Sequence, residues 1–404
     1  MTSTDAQPGL PRTRACVQRL RRSVPVTVVV LFAAAALGGA TSAAPSRLTA
    51  VAIDSAHVAL SWPAVDGAGR YQVQRGQLPI ATIRGTTVTD SLLWPRTRYR
   101  YTVTALSPSG ASIRSFTTVV RTKSLAASGF PLPFPGSRIW SAPVGNAAVV
   151  PNSAALIAYL VAHVDSPNMT LRAWGVAVAE AQPGDPHYRV RCGWCALGRI
   201  PIPVVASPDP QEGHLAIFEP ATGHEWDMYE ASRSAAGWTA TSGSAVSVQH
   251  GNPTIPRGHT GANAANIPLL AGIVRPEEIL QGHIDHALVF TTPGVSSLGH
   301  VCPASKNDGS STDPNALKEG MRLQLDPAVD VGALPIPAWE KTLARAMQTY
   351  GMYLTDQGGS TAVIAEDPIS RGYDAWKLVG MPDGDSVPIV GIPWDRFRVV
   401  SAPC

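Results

Sequence analysis

Leu93-Trp94-Pro95-Arg96-Thr97-Arg98-Tyr99-Arg100-Tyr101-Thr102-Val103-Thr104-Ala105 places apolar groups at 99, 101, 103 and 105, with polar groups between them. Successive side chains leave a strand on opposite sides, so this period of two marks a strand with one buried face. Moving outward, Val58–Trp62 alternates before a turn through Pro63 to Gly69. Tyr71–Arg75 alternates and is closed by Gly76, and Ile80–Ile83 runs into a turn at Gly85. Short alternating runs broken by turns every ~8–12 residues are the pattern of an all-β sandwich.

Over residues 46–122 these runs resemble a fibronectin type III domain, through Trp62, the Tyr71-x-Val73 strand and Leu93-x-Pro95-x-Thr97-x-Tyr99. The resemblance implies that Trp62 is buried and that Tyr99 is a tyrosine-corner residue whose hydroxyl returns to nearby backbone. Nothing in the module reads as catalytic, and His57 and Asp90 are expected in solvated loops. In secreted bacterial proteins such modules serve as spacers or as wall- and polymer-binding accessories, the role the likeness implies here.

The 404 residues exceed one small domain, and 45% apolar content supplies material for packed cores. Gly and Pro, 36 of each, point to many turns and few long helices. Arg12, Arg14, Arg19, Arg21 and Arg22 precede the uncharged run Val24–Leu37, and small residues follow at Gly38, Gly39, Ala40, Ser42, Ala43 and Ala44. That is the layout of a secretory signal peptide over residues 1–44, with cleavage expected near Ala43–Ala44. The alternative is an uncleaved anchor, the one case in which membrane attachment is expected. The segment carries +4 of a formal +3, which leaves −1 for the remainder and removes the electrostatic case for nucleic acid. The expected setting is extracellular.

Beyond Cys16, four cysteines remain: Cys192, Cys195, Cys302 and Cys404. An even count in an exported chain points to two disulfides, with three connectivities open. A redox Cys192-x-x-Cys195 would need a βαβ context that the sequence does not show. A four-cysteine zinc site would need Cys302 and Cys404 closely spaced, so no metal is expected.

Residues 123–136 read as a Pro/Ser/Gly linker, and 137–404 as one β-rich domain with a few helices, sandwich- or jelly-roll-like. Ser153–Val164 is a helix candidate capped by Asn152 or Ser153. A short helix opens at Pro276 and ends at Gly282, and Trp339–Tyr350 has helical spacing stopped by Gly351. Thr170–Val178 and Ile284–Phe290 read as strands. Two more short strands are expected on either side of Asp356-Gln357-Gly358-Gly359.

The sharpest local geometry is a hairpin, Gly213–Glu219 and His224–Glu230, joined by Pro220-Ala221-Thr222-Gly223. With Glu219 opposite His224, one face gathers His214, Glu225, Asp227 and Tyr229 around Ala216. The other carries Leu215, Ile217, Trp226 and Met228 and is the core side. Carboxylates beside an imidazole and aromatic surface suit a sugar-binding cleft, although an ordinary solvated strand face would look the same. Asp227 and Glu278 are the candidate acid/base pair, assisted by His214 and His286. Tyr229, Trp226, Glu225, Lys306 and Asp308 are candidate substrate contacts. His286 shares its strand face with Ile284, Leu288 and Phe290, so a satisfied core histidine is an equal reading. Ser305-Lys306-Asn307-Asp308-Gly309, with Asp313 beyond, lacks calcium-loop spacing and reads as turn chemistry.

No Gly-x-Ser-x-Gly elbow, His-Glu-x-x-His, phosphate loop or dinucleotide fingerprint is present, so no cofactor is expected. Asn266–Ile279, Ile284–Leu288, Glu319–Pro327 and Ala346–Gly359 together resemble a largely uncharacterised domain of secreted bacterial proteins found beside carbohydrate-associated modules. That resemblance covers about residues 200–367. It places His214, Glu278, His286, Lys306, Asp308 and Asp356 inside motif segments, without a known role for any. Cys302 stands where the motif leads one to expect an aromatic residue, which implies a disulfide at that point. The expected protein is a monomeric partner of polysaccharide or cell-wall polymer. It would be a glycoside hydrolase, a non-catalytic wall-binding protein, or a lyase with His214 or Tyr229 as base.

Overall fold

The structure, a computed structural model, describes residues 46–127, 129, 131, 134–248, 255 and 260–404. The export segment expected at 1–44 lies outside the described residues.

The N-terminal sandwich contains β1 (Thr49–Ala52), β2 (Val58–Ser61), β3 (Arg70–Arg75), β4 (Leu78–Ile83), β5 (Thr87–Asp90), β6 (Arg98–Leu106) and β7 (Ser112–Arg121). They form a three-stranded sheet, β1-β2-β5, and a four-stranded sheet, β4-β3-β6-β7. Tyr101, Val103 and Ala105 alternate into the core beside Trp62 and Tyr71, as the period of two requires. The Tyr99 hydroxyl accepts a hydrogen bond from the Trp94 amide at 2.8 Å, closing the corner. Two expectations fail here. Asp90 is buried, bound at 3.1 Å by Arg75 and at 2.8 Å by the Tyr101 hydroxyl. His57 bonds Asp54 and reaches Glu180 at 2.7 Å. Asp90 ends β5 and is bound by the sandwich's own Arg75 and Tyr101, whereas His57 is held by Glu180 of the second domain.

The second domain runs through α1 (Ser153–His163), β8 (Asn168–Thr170) and β9 (Val176–Glu180) into the short β10 (His187–Arg189), β11 (Arg191–Cys192) and β12 (Arg199–Pro201). The hairpin β13 (Leu215–Glu219) and β14 (His224–Tyr229) follows, then β15 (Ser232–Ser234), β16 (Gly237–Ala240) and β17 (Ser242–Ser247). Next come α2 (Pro276–Gln281), β18 (Leu288–Thr292), β19 (Arg322–Leu325), α3 (Ala338–Thr349) and β20 (Met352–Gln357). The chain closes with β21 (Ala362–Val363), β22 (Glu366–Asp367), α4 (Ala375–Leu378), β23 (Ser386–Pro388) and β24 (Phe397–Val400).

Two mixed sheets dominate, β17-β14-β13-β9-β22 and β23-β8-β21-β18-β20-β19-β24. Alternation assigns their faces. Leu288 and Phe290 of β18, with Met352 and Leu354 of β20, pack toward α1 and α3, while Val289 and Tyr353 turn the other way. Val289 and Tyr353 meet Val176, Val178 and Ala216 of the five-stranded sheet in one apolar layer. Leu215, Ile217 and Met228 point away from that layer, into a third core against the small strands. Each large sheet is therefore covered on both faces.

Gly282 and Gly351 take the left-handed conformation (φ +80° and +70°) just past α2 and α3, which is why those helices stop there. Asn152 stands at the start of α1 without capping it through its side chain. The Ser153 hydroxyl instead accepts the Val399 amide at 2.9 Å. Thr170–Val178 is broken rather than one strand, its halves belonging to different sheets. Only the end of Ile284–Phe290 is extended in a sheet. The segments on either side of Gly358 do not pair; both flank β18. The expected linker is partly core, since Phe134 is buried beside Trp140.

Candidate functional site

The register of the β13–β14 hairpin is as read, with Ala216 opposite Asp227, Phe218 opposite Glu225 and Glu219 opposite His224. Its polar face does not open to solvent. The second sheet covers it, and Glu225 and Asp227 have no exposed surface. Asp227 accepts from the Ser244 hydroxyl at 3.1 Å and the Leu269 amide at 3.3 Å, and Glu225 from the Leu270 amide at 2.8 Å. Burial pushes Asp227 up to about 6 and raises Glu225 further, with Asp227 adding to the rise of Glu225. These two acids pin the 268–271 segment between the sheets.

Glu278 and His286 form a second buried pair, 2.9 Å apart. The remaining Glu278 oxygen accepts the Arg275 amide at 2.8 Å, and His286 Nδ1 lies 2.9 Å from the Ala287 carbonyl. Burial disfavours charge on His286, but Glu278 overcomes it and raises the imidazole above its ordinary value. Asp227 and Glu278, expected as an acid/base pair, sit in separate buried clusters and neither lines a cleft. Trp226 lies on the opposite hairpin face, stacked on His224 at 5.6 Å.

A cleft of about 910 Å³ is lined by residues of both large sheets. Val176, His214, Tyr229 and Ser242 line it from the five-stranded side, and Val289, Thr291, Thr355 and Asp356 from the seven-stranded side. His214, Tyr229, Lys306, Asp308 and Asp356 are the sequence-derived residues that meet in it. Glu212, Trp174 and Trp194 line it too; Glu212 and Trp194 had no periodic signal, being on loops, and Trp174, inside the run read as one strand, lies in the bend between β8 and β9. Trp174 and Trp194 are 54% and 73% exposed, unusual for indoles unless something is to cover them.

The acids on one wall are coupled. Asp356 Oδ2 accepts the Ala264 amide at 3.2 Å, and Asp308 Oδ1 accepts the amide of Gln357 at 3.2 Å. Burial, then the neighbouring Asp308, push Asp356 up to about 7. Behind them Glu319, fully buried, accepts the Asp308 amide at 3.3 Å. Burial and Asp308 hold Glu319 up at about 9, so it is a neutral acid. Facing this wall, His214 and Glu212 stand 3.5 Å apart, and the His214 ring lies 5.2 Å from Tyr229. His214 Nε2 is 2.9 Å from the Ala262 carbonyl, which can only accept, so that nitrogen carries the proton. Burial lowers His214 despite Glu212 and Asp209 and favours its neutral form, with Nδ1 3.5 Å from Glu212. Among the described residues no group of three or more His, Cys, Asp or Glu is placed to hold a metal ion.

The cysteines pair as Cys192–Cys195 and Cys302–Cys404. Among the described residues no helix is long and apolar enough to cross a membrane.

No family model matches the chain. Over 87 residues it is 40% identical to a poly(3-hydroxybutyrate) depolymerase of Ralstonia pickettii, a match covering 21% of this chain and 18% of that enzyme. The chain thus spans under a fifth of that relative's length. Among solved structures, the FN5 domain of Drosophila Lar is 26% identical and matches 20% of this chain and 95% of its own, with a TM-score of 0.17. A chitinase, ChiA74 of Bacillus thuringiensis, is 17% identical over 29% of this chain and 22% of its own, with a TM-score of 0.18. Several fibronectin type III domains match about a fifth of the chain in the same way.

Proposed function

We propose that this chain is an exported protein whose second domain binds and hydrolyses a polysaccharide in the cleft between its two large sheets, and whose residues 46–122 are a fibronectin type III module. The observation that carries the reading is a cleft with two solvent-facing indoles and carboxyl groups of unlike environment on opposing walls. Indole faces pack on sugar rings, and glycoside hydrolysis needs one carboxyl that gives a proton and one that stays a base or nucleophile. The acid/base roles pass from Asp227 and Glu278 to Asp356 and Glu212. Asp356, near 7, carries a proton into the neutral range and delivers it to the departing glycosidic oxygen. Glu212, more exposed and beside His214, receives the proton of the attacking water as that water's oxygen bonds the anomeric carbon. Lys306 and Asp308 lie beside the acid, and Tyr229 also lines the cleft. Partial likeness to a polymer-degrading enzyme and the two disulfides support an extracellular polymer as the target.

The test is incubation with a panel of cell-wall and plant polysaccharides, reading new reducing ends and retention on insoluble polymer together. Asp356→Asn and Glu212→Gln are each expected to lower turnover about 100-fold or more, with melting unchanged. Retention without release across the panel would make the domain a binder. Absence of both release and retention across the panel would remove the carbohydrate reading.

A further inference from the structure

Trp194 is the most exposed indole of the cleft, and it stands inside the sequence Cys192-Gly193-Trp194-Cys195. An aromatic ring with 73% of its surface free gains little from burial, so packing alone cannot fix its position. Its backbone is held by the β16 edge and by Thr260. β11 pairs in parallel with β16 for two residues, Arg191 with Thr239 and Cys192 with Ala240. Beyond the strand the Gly193 amide donates to the Ala240 carbonyl at 3.1 Å, and the Trp194 amide to the Thr241 carbonyl at 2.9 Å. The Thr260 hydroxyl donates to the Trp194 carbonyl. Gly193 sits close enough that a Cβ there would lie 3.2 Å from the Thr241 oxygen. After Trp194 the chain leaves this edge, and the disulfide returns it to Cys192 with the two Cα atoms 5.3 Å apart.

The two crosslinks of the domain differ in what they can do. Cys302–Cys404 closes a sequence separation of 102 and restricts the unfolded chain strongly. Cys192–Cys195 closes a separation of 3 and removes much less chain entropy, under half as much. Its effect is local, and the residue it locates is Trp194. Both cysteines are half-buried, within reach of a small thiol.

We infer that the Cys192–Cys195 disulfide fixes Trp194 as a wall of the cleft, and that its reduction by a dithiol frees the wall and weakens the hold on the glycan. The second half rests on the polysaccharide reading above. In the step, a thiolate of the dithiol attacks one sulfur and displaces the other as a thiolate. The second thiol of the reductant then closes its own disulfide. Two electrons and two protons end on Cys192 and Cys195, and the dithiol is oxidised.

Two readouts test it on the full chain, with and without dithiothreitol. Amide exchange of the peptide spanning 191–198 is expected to quicken at least tenfold on reduction, as the Gly193 and Trp194 amides lose their carbonyl partners. Retention on whichever polysaccharide holds the oxidised chain is expected to fall about tenfold on reduction, in Trp194→Ala, and in the Cys192→Ser/Cys195→Ser chain. A Cys302→Ser/Cys404→Ser chain is expected to keep the full redox response. Unchanged exchange overturns the positional half. Unchanged retention with faster exchange overturns the role in binding alone. If no polysaccharide holds the oxidised chain, the glycan half falls with the reading it rests on, and exchange still decides whether the disulfide fixes Trp194.

Discussion

Asp356 is a weak acid because of its surroundings. Burial disfavours its anion, and Asp308 adds a like charge at the same wall. Its proton is therefore retained until about pH 7, far above the ordinary 3.8. If Asp356 acts in its protonated form, turnover declines on the alkaline side near that value. Asp308→Asn removes the neighbouring charge but not the burial, so Asp356 should move down while staying above 3.8. The alkaline limb of kcat/KM against pH is expected to shift acidward by roughly one unit. A limb that stays in place would mean that another group sets it. Glu319 makes the comparison sharper, because its own value near 9 depends partly on Asp308 as well. Glu319→Gln keeps a neutral side chain there and is expected to leave the limb nearly where it was.

At the scale of elements, the β13–β14 hairpin shows what one sequence can and cannot reveal. Its register was legible because alternation is strict on both strands and a four-residue turn leaves few pairings. Its environment was not, since an alternating strand looks the same whether water or a second sheet covers its polar face. Glu225 and Asp227 lie under such a sheet, and their oxygens take the amides of Leu270 and Leu269. Asp227→Ala would strand the Leu269 amide and the Ser244 hydroxyl, each costing about 1–3 kcal/mol when buried without a partner. A melting temperature lower by several degrees is expected, with turnover per folded molecule little changed. Intact melting with lost turnover would return Asp227 to the chemistry. The same limit explains the rest of the site. Asp308 and Asp356 could be noticed within motif segments, whereas Glu212, Trp174 and Trp194 sit on loops whose convergence depends on long-range packing. The helices α1 to α3 were legible because apolar spacing and, after α2 and α3, glycine stops are local signals.

At the scale of the molecule, the seam between sandwich and second domain carries hydrogen bonds and the His57–Glu180 ion pair alongside apolar contact from Val205 and Leu78. Arg75 holds Asp90 at 3.1 Å and also donates to the Arg371 carbonyl across the seam. Arg371 is itself clamped by Glu277 at 2.6 Å and by Glu366. The Tyr373 hydroxyl donates to the Leu92 carbonyl at 2.7 Å, and His57 reaches Glu180. A Cβ at Gly372 would lie 2.4 Å from the Leu78 side chain, so the surfaces are in close contact. A module seated this way is not a free spacer. Proton linkage follows from the same burial. Asp185, Asp227, Asp356, Asp367 and Glu319 have folded values of about 6, 6, 7, 7 and 9, all raised, and His57 is raised to about 10. Groups raised on folding stabilise fully below their unfolded values and lose that contribution as pH climbs through the folded ones. Glu366 and Asp54, lowered on folding, act in the opposite sense below about pH 4.5. The unfolding midpoint is therefore expected to peak near pH 4, where the unfolded carboxylates begin to ionise, and fall steadily towards pH 9; a flat profile would contradict the buried acids. Arg75→Ala isolates the seam. It leaves Asp90 buried with Tyr101 as its remaining side-chain partner and removes the donor to Arg371. Breaking one side of a buried pair costs ~3–5 kcal/mol. If the seam couples the two parts, calorimetry of the unaltered chain gives one transition, and Arg75→Ala splits it, the sandwich melting first. Two transitions already present in the unaltered chain, with the lower one indifferent to Arg75→Ala, would show that the parts unfold independently.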